Sequence, residues 1–368
     1  MSSRTTDHRT PAHLGAPAGR LAARWADRAG AVDPDALVLH DALLAAALDV
    51  PAGPAVRRPS MCHDGTPVTY SAALDAAGPA SPLRLLVEPG GCAVAVPEQL
   101  EGTLGLLRGL LRERGWDAAR AHLDRVCDAV LPAQRERTGS WWGGAWLGLV
   151  AEPGAPTQLR CYLNLRWGSP QARWQRALDA ICGAADATLT PTLDGLLRTC
   201  APIGVPVGLG LAFAAGDLRA LRLYVGVHEP ARCGLAALLP PELSHQQEVA
   251  RRFGVLATQR LGPPPAQGVT AGYDLVLRDG VVQPGVARCK VDLSCQPLDG
   301  PGRVQAELVA REFAAALGLD GGELDRFEAD LEDAYGGSTL EFVSLGIRPD
   351  RTGMSAYVKP HGLASADR

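Results

Sequence analysis

Lysine is almost missing from this 368-residue chain: Lys290 and Lys359 are the only two among 36 basic residues. Positive charge therefore rests on arginine, whose planar guanidinium binds oxyanions bidentately. The formal charge is −4, so no excess of cations coats the molecule and any basic surface must be local; broad nucleic-acid binding is not expected. No stretch approaches the ~20 apolar residues that span a bilayer. Residues 1–17 are polar and lack the apolar run of a secretory signal. The nine cysteines form no C-x-x-C pair, and no His/Cys spacing matches a zinc site. An odd number of scattered thiols fits a reduced compartment better than a disulfide framework. The chain reads as cytoplasmic, with no membrane or metal partner. Walker A and G-x-S-x-G sequences are missing too, and Gly208-Leu-Gly210 lacks the third glycine of a dinucleotide loop.

What is present is a repeated design. Five segments read Arg84-Leu85-Leu86-Val87-Glu88, Arg160-Cys161-Tyr162-Leu163-Asn164, Arg222-Leu223-Tyr224-Val225-Gly226, Lys290-Val291-Asp292-Leu293-Ser294 and Ser355-Ala356-Tyr357-Val358-Lys359. Apolar residues hold the second and fourth places. A strand turns successive side chains to opposite faces, so one face carries Arg84, Arg160, Arg222, Lys290, Tyr162, Tyr224, Tyr357 and Glu88.

The segments recur at intervals of 62 to 76 residues, a spacing that invites a search for structural repeats. Each interval reads as two helices and then two strands. The first has helices near 18–30 and 34–49 and strands near 66–73 and 82–88. In the second, Leu100, Leu104, Leu107 and Leu111 share one helical face, and a partner follows with Trp116, Leu123, Val126 and Val130. The third has a helix with Trp174, Leu178 and Ile181, a weaker helix near 190–199, and a hairpin from 206–213 to 219–226. In the fourth, Ser244-His-Gln-Gln247 resembles a capping box opening a helix with Val249, Phe253 and Leu256 inward. The fifth carries Val309, Phe313 and Leu317, then Leu324, Phe327 and Leu331, then strands near 339–347 and 354–359. Asp330 and Asp333 are expected on a solvated face. Joints with glycine and proline stand at 152–156, 262–265 and 299–302.

Ten strands joined as hairpins are antiparallel, and closing them removes exposed edges. The expected fold is α+β: a ten-stranded antiparallel barrel of five ααββ repeats, ringed by helices. Its apolar residues face outward and its polar face encloses a ligand. A two-layer sandwich would bury the same strands through apolar inner faces, and the inward arginines and tyrosines speak against it. The domain is expected over 18–362, with tails at 1–17 and 363–368.

The inward set points to a phosphorylated ligand. Guanidinium groups take phosphate oxygens in pairs, and tyrosines offer a hydroxyl to phosphate and a negative ring face to a cation. Glu88 reads equally as a counter-ion or as a proton acceptor. Trp141, Trp142 and Trp146 begin a strand, where their rings either stack on a planar ligand or pack against helices. No Asp-Asp-x-x-Asp cluster of the kind that holds magnesium against a diphosphate is present.

These residues resemble a known family. Asp64-Gly-Thr-Pro-Val-Thr-Tyr-Ser71 followed by Leu83-Arg-Leu-Leu-Val-Glu-Pro89 looks like the opening hairpin of the indole prenyltransferases of the dimethylallyltryptophan synthase type. Leu159-Arg-Cys-Tyr-Leu-Asn164 resembles their K-x-Y-x-N strand, Leu221-Arg-Leu-Tyr-Val225 their second K-x-Y strand, and Ser355-Ala-Tyr-Val-Lys-Pro360 their last strand. The similarity covers residues 60–360 and is nearest to the bacterial members.

The resemblance implies the ABBA prenyltransferase barrel and transfer of a prenyl group, usually dimethylallyl, from its diphosphate to an aromatic acceptor, most often an indole. It implies Glu88 as the acceptor-binding and proton-removing carboxylate. Arg160 with Tyr162, and Arg222 with Tyr224, would bind diphosphate; the strand pattern itself, not the resemblance, adds Lys290 and Arg84 to this set. Tyr162, Tyr224 and Tyr357 would shield the cation, and Trp142 and Trp146 would line the acceptor. The partners implied are a prenyl diphosphate and an aromatic small molecule, with no metal cofactor, in a monomer or homodimer. Lys290 and Asp292 stand where many relatives have a polar residue and a tyrosine, which leaves one wall of the shield open. Ala220 replaces a frequent arginine, and the stretch Ala145 to Thr157 has no lysine. A phenolic or other heteroaromatic acceptor, or a non-catalytic barrel that binds an anionic aromatic ligand, are the competing expectations.

Overall fold

A computed structural model describes residues 33–49, 66–75, 83–91, 94–131, 144–152, 154–185, 190–263, 268–296 and 298–361, with Leu21 and Arg24. Both expected tails, and most of the helix expected at 18–30, lie outside the described residues.

The strands are β1 (Val68–Asp75), β2 (Leu83–Val87), β3 (Ala145–Ala151), β4 (Gln158–Asn164), β5 (Gly204–Ala214), β6 (Asp217–Val227), β7 (Val269–Arg278), β8 (Val281–Val282), β9 (Arg288–Ser294), β10 (Ser338–Ile347) and β11 (Thr352–Pro360). Every pairing is antiparallel. The ladder runs from β1 through β6 to β7, then β9, β10 and β11, and β11 pairs back onto β1. Ten strands thus close into a barrel, while β8 only extends the end of β7.

Alternation explains what faces where. In β4, Leu159, Cys161 and Leu163 are buried, whereas Gln158, Arg160 and Tyr162 between them keep partial exposure. The buried set joins one core with the surrounding helices. The exposed set faces the interior: Arg84 on β2 interacts with Arg160 on β4, Arg222 on β6 and Tyr357 on β11. Apart from Tyr162 and Tyr224, three tyrosines sit on the helix side or in a helix. Tyr70 bonds His40 at 3.3 Å and Tyr335 at 3.2 Å, and the Tyr273 hydroxyl donates to Leu238 O at 2.8 Å.

The helical ring follows its sequence signals. In Val96–Glu113, Leu100, Leu104, Leu107 and Leu111 are all buried. Ser169 caps Pro170–Ala184 by accepting from Ala172 N, and Thr190 caps Pro191–Cys200 in the same way through Leu193 N. The joint at 299–302 is itself a helix start, where Asp299 accepts from Gly302 N ahead of Gly300–Ala316.

Three expectations about the helices are corrected. The fourth interval has one full helix, Gln247–Leu261; before it lie a single turn, Pro230–Cys233, and two 3-10 segments, Leu235–Leu238 and Pro241–Gln246. Pro230, Pro240 and Pro241 supply no N–H to a helix, and Gly234 (φ 67°) turns the chain out of one. Ser244 falls inside the second 3-10 segment, and no side chain caps the helix that follows, so the capping box does not form. In Gly322–Tyr335, Asp330 is 3% exposed rather than solvated, beside the Arg24 guanidinium at 3.6 Å, while Asp333 is exposed as expected.

Candidate active site

Strand tilt displaces the repeated pattern by one inward position at each hairpin. Arg160 is level with Gly148 on one side and, through Ala212, with Ala220 on the other. It is Tyr162 that stands level with Arg222, across Gly210. Likewise Tyr224 is level with Lys290, across Gly272. The cations thus climb the wall as a staircase, each one facing the tyrosine of the unit before it. Equivalent places in the repeated sequence pattern thus share a face but not a level.

Glycine makes the juxtaposition possible. A Cβ on Gly272 would stand 3.0 Å from Arg222 Cδ and 3.2 Å from Tyr224 Cε1. On Gly210 it would meet Tyr162 Cδ1 at 3.3 Å and Tyr224 Cε2 at 3.4 Å. These distances are tighter than ordinary van der Waals contact, so a Cβ at either position requires Tyr162, Arg222 or Tyr224 to shift.

Arg222 is held by a carboxylate that the sequence pattern did not expose. Its Nε and Nη2 donate to the two oxygens of Asp274, the second at 2.7 Å, and its Nη1 donates to Tyr224 Oη at 3.3 Å. Burial disfavours both charges, yet the pair outweighs it: Arg222 is pushed up and Asp274 down. Lys290 Nζ lies 2.5 Å from Asp292 Oδ1, which also accepts from the Ser344 hydroxyl. Asp292 is therefore a counter-ion in the wall, and Lys290 is not a bare cation. Arg84 Nη2 reaches Glu152 Oε1 at 3.4 Å, and Arg160 Nη2 donates to Gln158 Oε1 at 2.9 Å. The Nε atoms of both arginines are buried without a hydrogen-bond partner.

The rings gather around these charges. Tyr162 and Tyr224 have centroids 6.1 Å apart, and Phe342 meets Tyr357 edge-on at 6.3 Å. Lys290 Nζ sits 4.2 Å from the Tyr357 ring centre. Burial opposes ionisation of the Tyr357 phenol, but Lys290 and then Arg84 outweigh it and bring the pKa to about 8.

The remaining expected residues are less tightly joined. Trp146 faces inward, level with Tyr162, and its buried Nε1 has no hydrogen-bond partner. Trp142 lies outside the described residues. Glu88 follows β2 on the inward face but is only 1% exposed, with its backbone N–H on Pro67 O. Its carboxylate is the least accessible of the set, and an acceptor reaches it only if its present surroundings yield. Arg288, two residues before Lys290 on the same face, was also missed; with Arg84, Arg348 and Arg351 it lines a small pocket. The alternation Arg288-Cys-Lys290-Val-Asp292 was the available signal. Among the described residues, no group of three or more His, Cys, Asp or Glu side chains is placed to hold a metal ion.

No family model and no curated protein matches the sequence. Solved structures do match the fold. A 5-dimethylallyl tryptophan synthase from Streptomyces coelicolor, in complex with DMASPP and Trp, superposes with a TM-score of 0.74 at 18% identity, over 96% of this chain and 97% of that one. The prenyltransferase PriB in its binary complex with product diphosphate gives 0.70 at 20% identity, over 94% and 96%. A 6-dimethylallyltryptophan synthase from Micromonospora olivasterospora, with DMASPP and Trp, gives 0.66 at 22% identity, over 95% and 96%. The protein has the barrel fold of the ABBA prenyltransferases.

Proposed function

We propose that the protein is an aromatic prenyltransferase that moves a prenyl group, dimethylallyl, from its diphosphate to an indole acceptor such as tryptophan or a tryptophan-derived metabolite. The observation that carries this reading is the staircase of Arg160, Arg222 and Lys290 interleaved with Tyr162 and Tyr224 across glycine gaps. The barrel's fold relatives, which bind DMASPP, Trp or diphosphate, support it.

The chemistry follows from the wall. Arg84, Arg160, Arg222 and Lys290, with the hydroxyls of Tyr162 and Tyr224, hold the diphosphate and take up its negative charge as the allylic C–O bond breaks. These cations need no reorganisation, because carboxylates and glycine gaps already fix two of them. The faces of Tyr162, Tyr224 and Tyr357 stabilise the allylic cation and exclude water. An aromatic carbon of the acceptor attacks the cation, forming the C–C bond, and the ring then loses its proton. Trp146 lines the acceptor's side of the lumen. Glu88 is assigned to the acceptor's N–H and to the departing proton. Fixed cations do the work of a metal, so activity in EDTA is expected. Incubation with dimethylallyl diphosphate and an indole, read by mass, tests the reading; loss of product in Arg160→Ala and Glu88→Ala tests the assignments.

A further inference from the structure

Arg288 is the cation in this wall with nothing to hold. Its guanidinium makes no hydrogen bond or ion pair with any described residue, although it is set among charged neighbours. Arg288 and Arg222 flank Asp274 in one row of the sheet, but Asp274 spends both oxygens on Arg222. Arg84 and Arg348 also face Arg288 and repel it, and Arg351 lines the same pocket. On the next strand, Gly346 gives it room: a Cβ there would fall 2.4 Å from Arg288 Nη2 and 2.8 Å from its Nε. The guanidinium lies against the backbone of Gly346, partly open to the interior, in the small pocket it shares with Arg84, Arg351 and Ser355. A partly buried cation among cations is costly without an anion, so this arrangement is a receptor lacking its ligand.

We propose that Arg288, admitted by Gly346, binds the phosphoryl group of the diphosphate farthest from the prenyl chain, and so selects diphosphates over monophosphates. The inference rests on the prenyltransferase reading and extends it. Direction follows from the strand: Asp292 and the Tyr357 shield lie beyond Lys290 on one side, and Arg288 precedes Lys290 on the other. A diphosphate whose inner phosphoryl meets Arg222 and Lys290, with the allylic carbon toward the tyrosines, extends its outer phosphoryl to Arg288. Planar N–H pairs suit a terminal phosphoryl with its three free oxygens.

The test is calorimetric titration of the full chain with inorganic pyrophosphate and with orthophosphate, in wild type, Arg288→Gln, Arg288→Lys and Gly346→Ala. Losing a charged hydrogen-bonding pair should weaken pyrophosphate about tenfold or more in Arg288→Gln, and orthophosphate by less than about twofold. Gly346→Ala, which leaves every charge in place but displaces the guanidinium, should follow Arg288→Gln, while Arg288→Lys recovers part of the affinity. In the transfer reaction KM for dimethylallyl diphosphate should rise and KM for the acceptor should not. Wild type that binds pyrophosphate, with both Arg288→Gln and Gly346→Ala unchanged, overturns the assignment and leaves the prenyltransferase reading standing. Equal loss in the Gln and Lys variants with a lowered melting temperature means a structural role and also overturns it. Wild type that binds neither anion removes the reading itself and the inference with it.

Discussion

The Lys290 ammonium lies 4.2 Å from the centre of the Tyr357 ring and 2.5 Å from Asp292 Oδ1. One cation thus joins two strands, β9 and β11, that do not pair with each other, through the interior and not through the sheet. Arg222 does the same locally, fixed by Asp274 on β7 and by Tyr224 on its own strand. Charges held this way before a ligand arrives are what a reaction that releases a highly charged leaving group requires.

Tyr357 should make anion binding pH-dependent. Its phenol is neutral well below its pKa of about 8 and becomes a phenolate as pH rises through that value. The new negative charge neutralises Lys290 and opposes an incoming anion. Pyrophosphate affinity should therefore fall between pH 7 and pH 9, beyond any change in the anion's own ionisation. Tyr357→Phe should abolish that component; an unchanged pH profile in the variant would refute the assignment.

The Arg222–Asp274 pair should show in acid stability. Arg222 holds the Asp274 carboxyl below its ordinary value despite burial, so the pair's contribution is complete above the unfolded carboxylate pKa of about 3.8. It is lost as pH falls through the lower, folded value. Asp274→Asn should cost about 2 kcal/mol near neutrality, a charged hydrogen-bond pair in a partly open lumen. The gap to wild type should narrow in melts near pH 3. A gap that stays constant with pH contradicts the linkage.

Gly272 is expected to tolerate no side chain. Gly272→Val should push Arg222 and Tyr224 out of line, reducing pyrophosphate affinity by about tenfold, as loss of a charge-assisted contact does. Circular dichroism should keep its barrel signature. Wild-type affinity in this variant would show that the glycine gap does not position the ladder.

The helical ring carries the barrel's stability. Leu107 is fully buried among leucines at helical spacing, and Leu107→Ala should cost about 3 kcal/mol, read as a lower urea midpoint with an unchanged slope. A loss below about 0.5 kcal/mol would place Leu107 outside the core.

The outward half of the fold was legible because it obeys simple periods. Leu159, Cys161 and Leu163 alternate with Arg160 and Tyr162, and Leu100, Leu104, Leu107 and Leu111 repeat as a helix must. The hairpin order and the cations Arg84, Arg160, Arg222 and Lys290 followed; Arg288 did not. Cross-strand offset was not legible, because a strand's own pattern carries no record of how far its neighbour has slid. For that reason the pattern could not tell that Tyr162, rather than Arg160, stands level with Arg222. Asp274 was hidden beside Tyr273, whose ring faces the helices; tyrosine alone does not reveal its side, since Tyr70 and Tyr273 look outward and Tyr162 and Tyr224 inward. The fourth unit failed for a local reason, prolines at 230, 240 and 241 where a helix was expected.

The most direct measurement of the central claim is the mass of the product formed from dimethylallyl diphosphate and an indole in the presence of EDTA, with diphosphate release followed in parallel. The account predicts an indole carrying one added prenyl group, one diphosphate released for each product, and loss of both in Arg160→Ala. Pyrophosphate binding with no transfer to any indole or phenol, by a correctly folded wild-type protein, would contradict it.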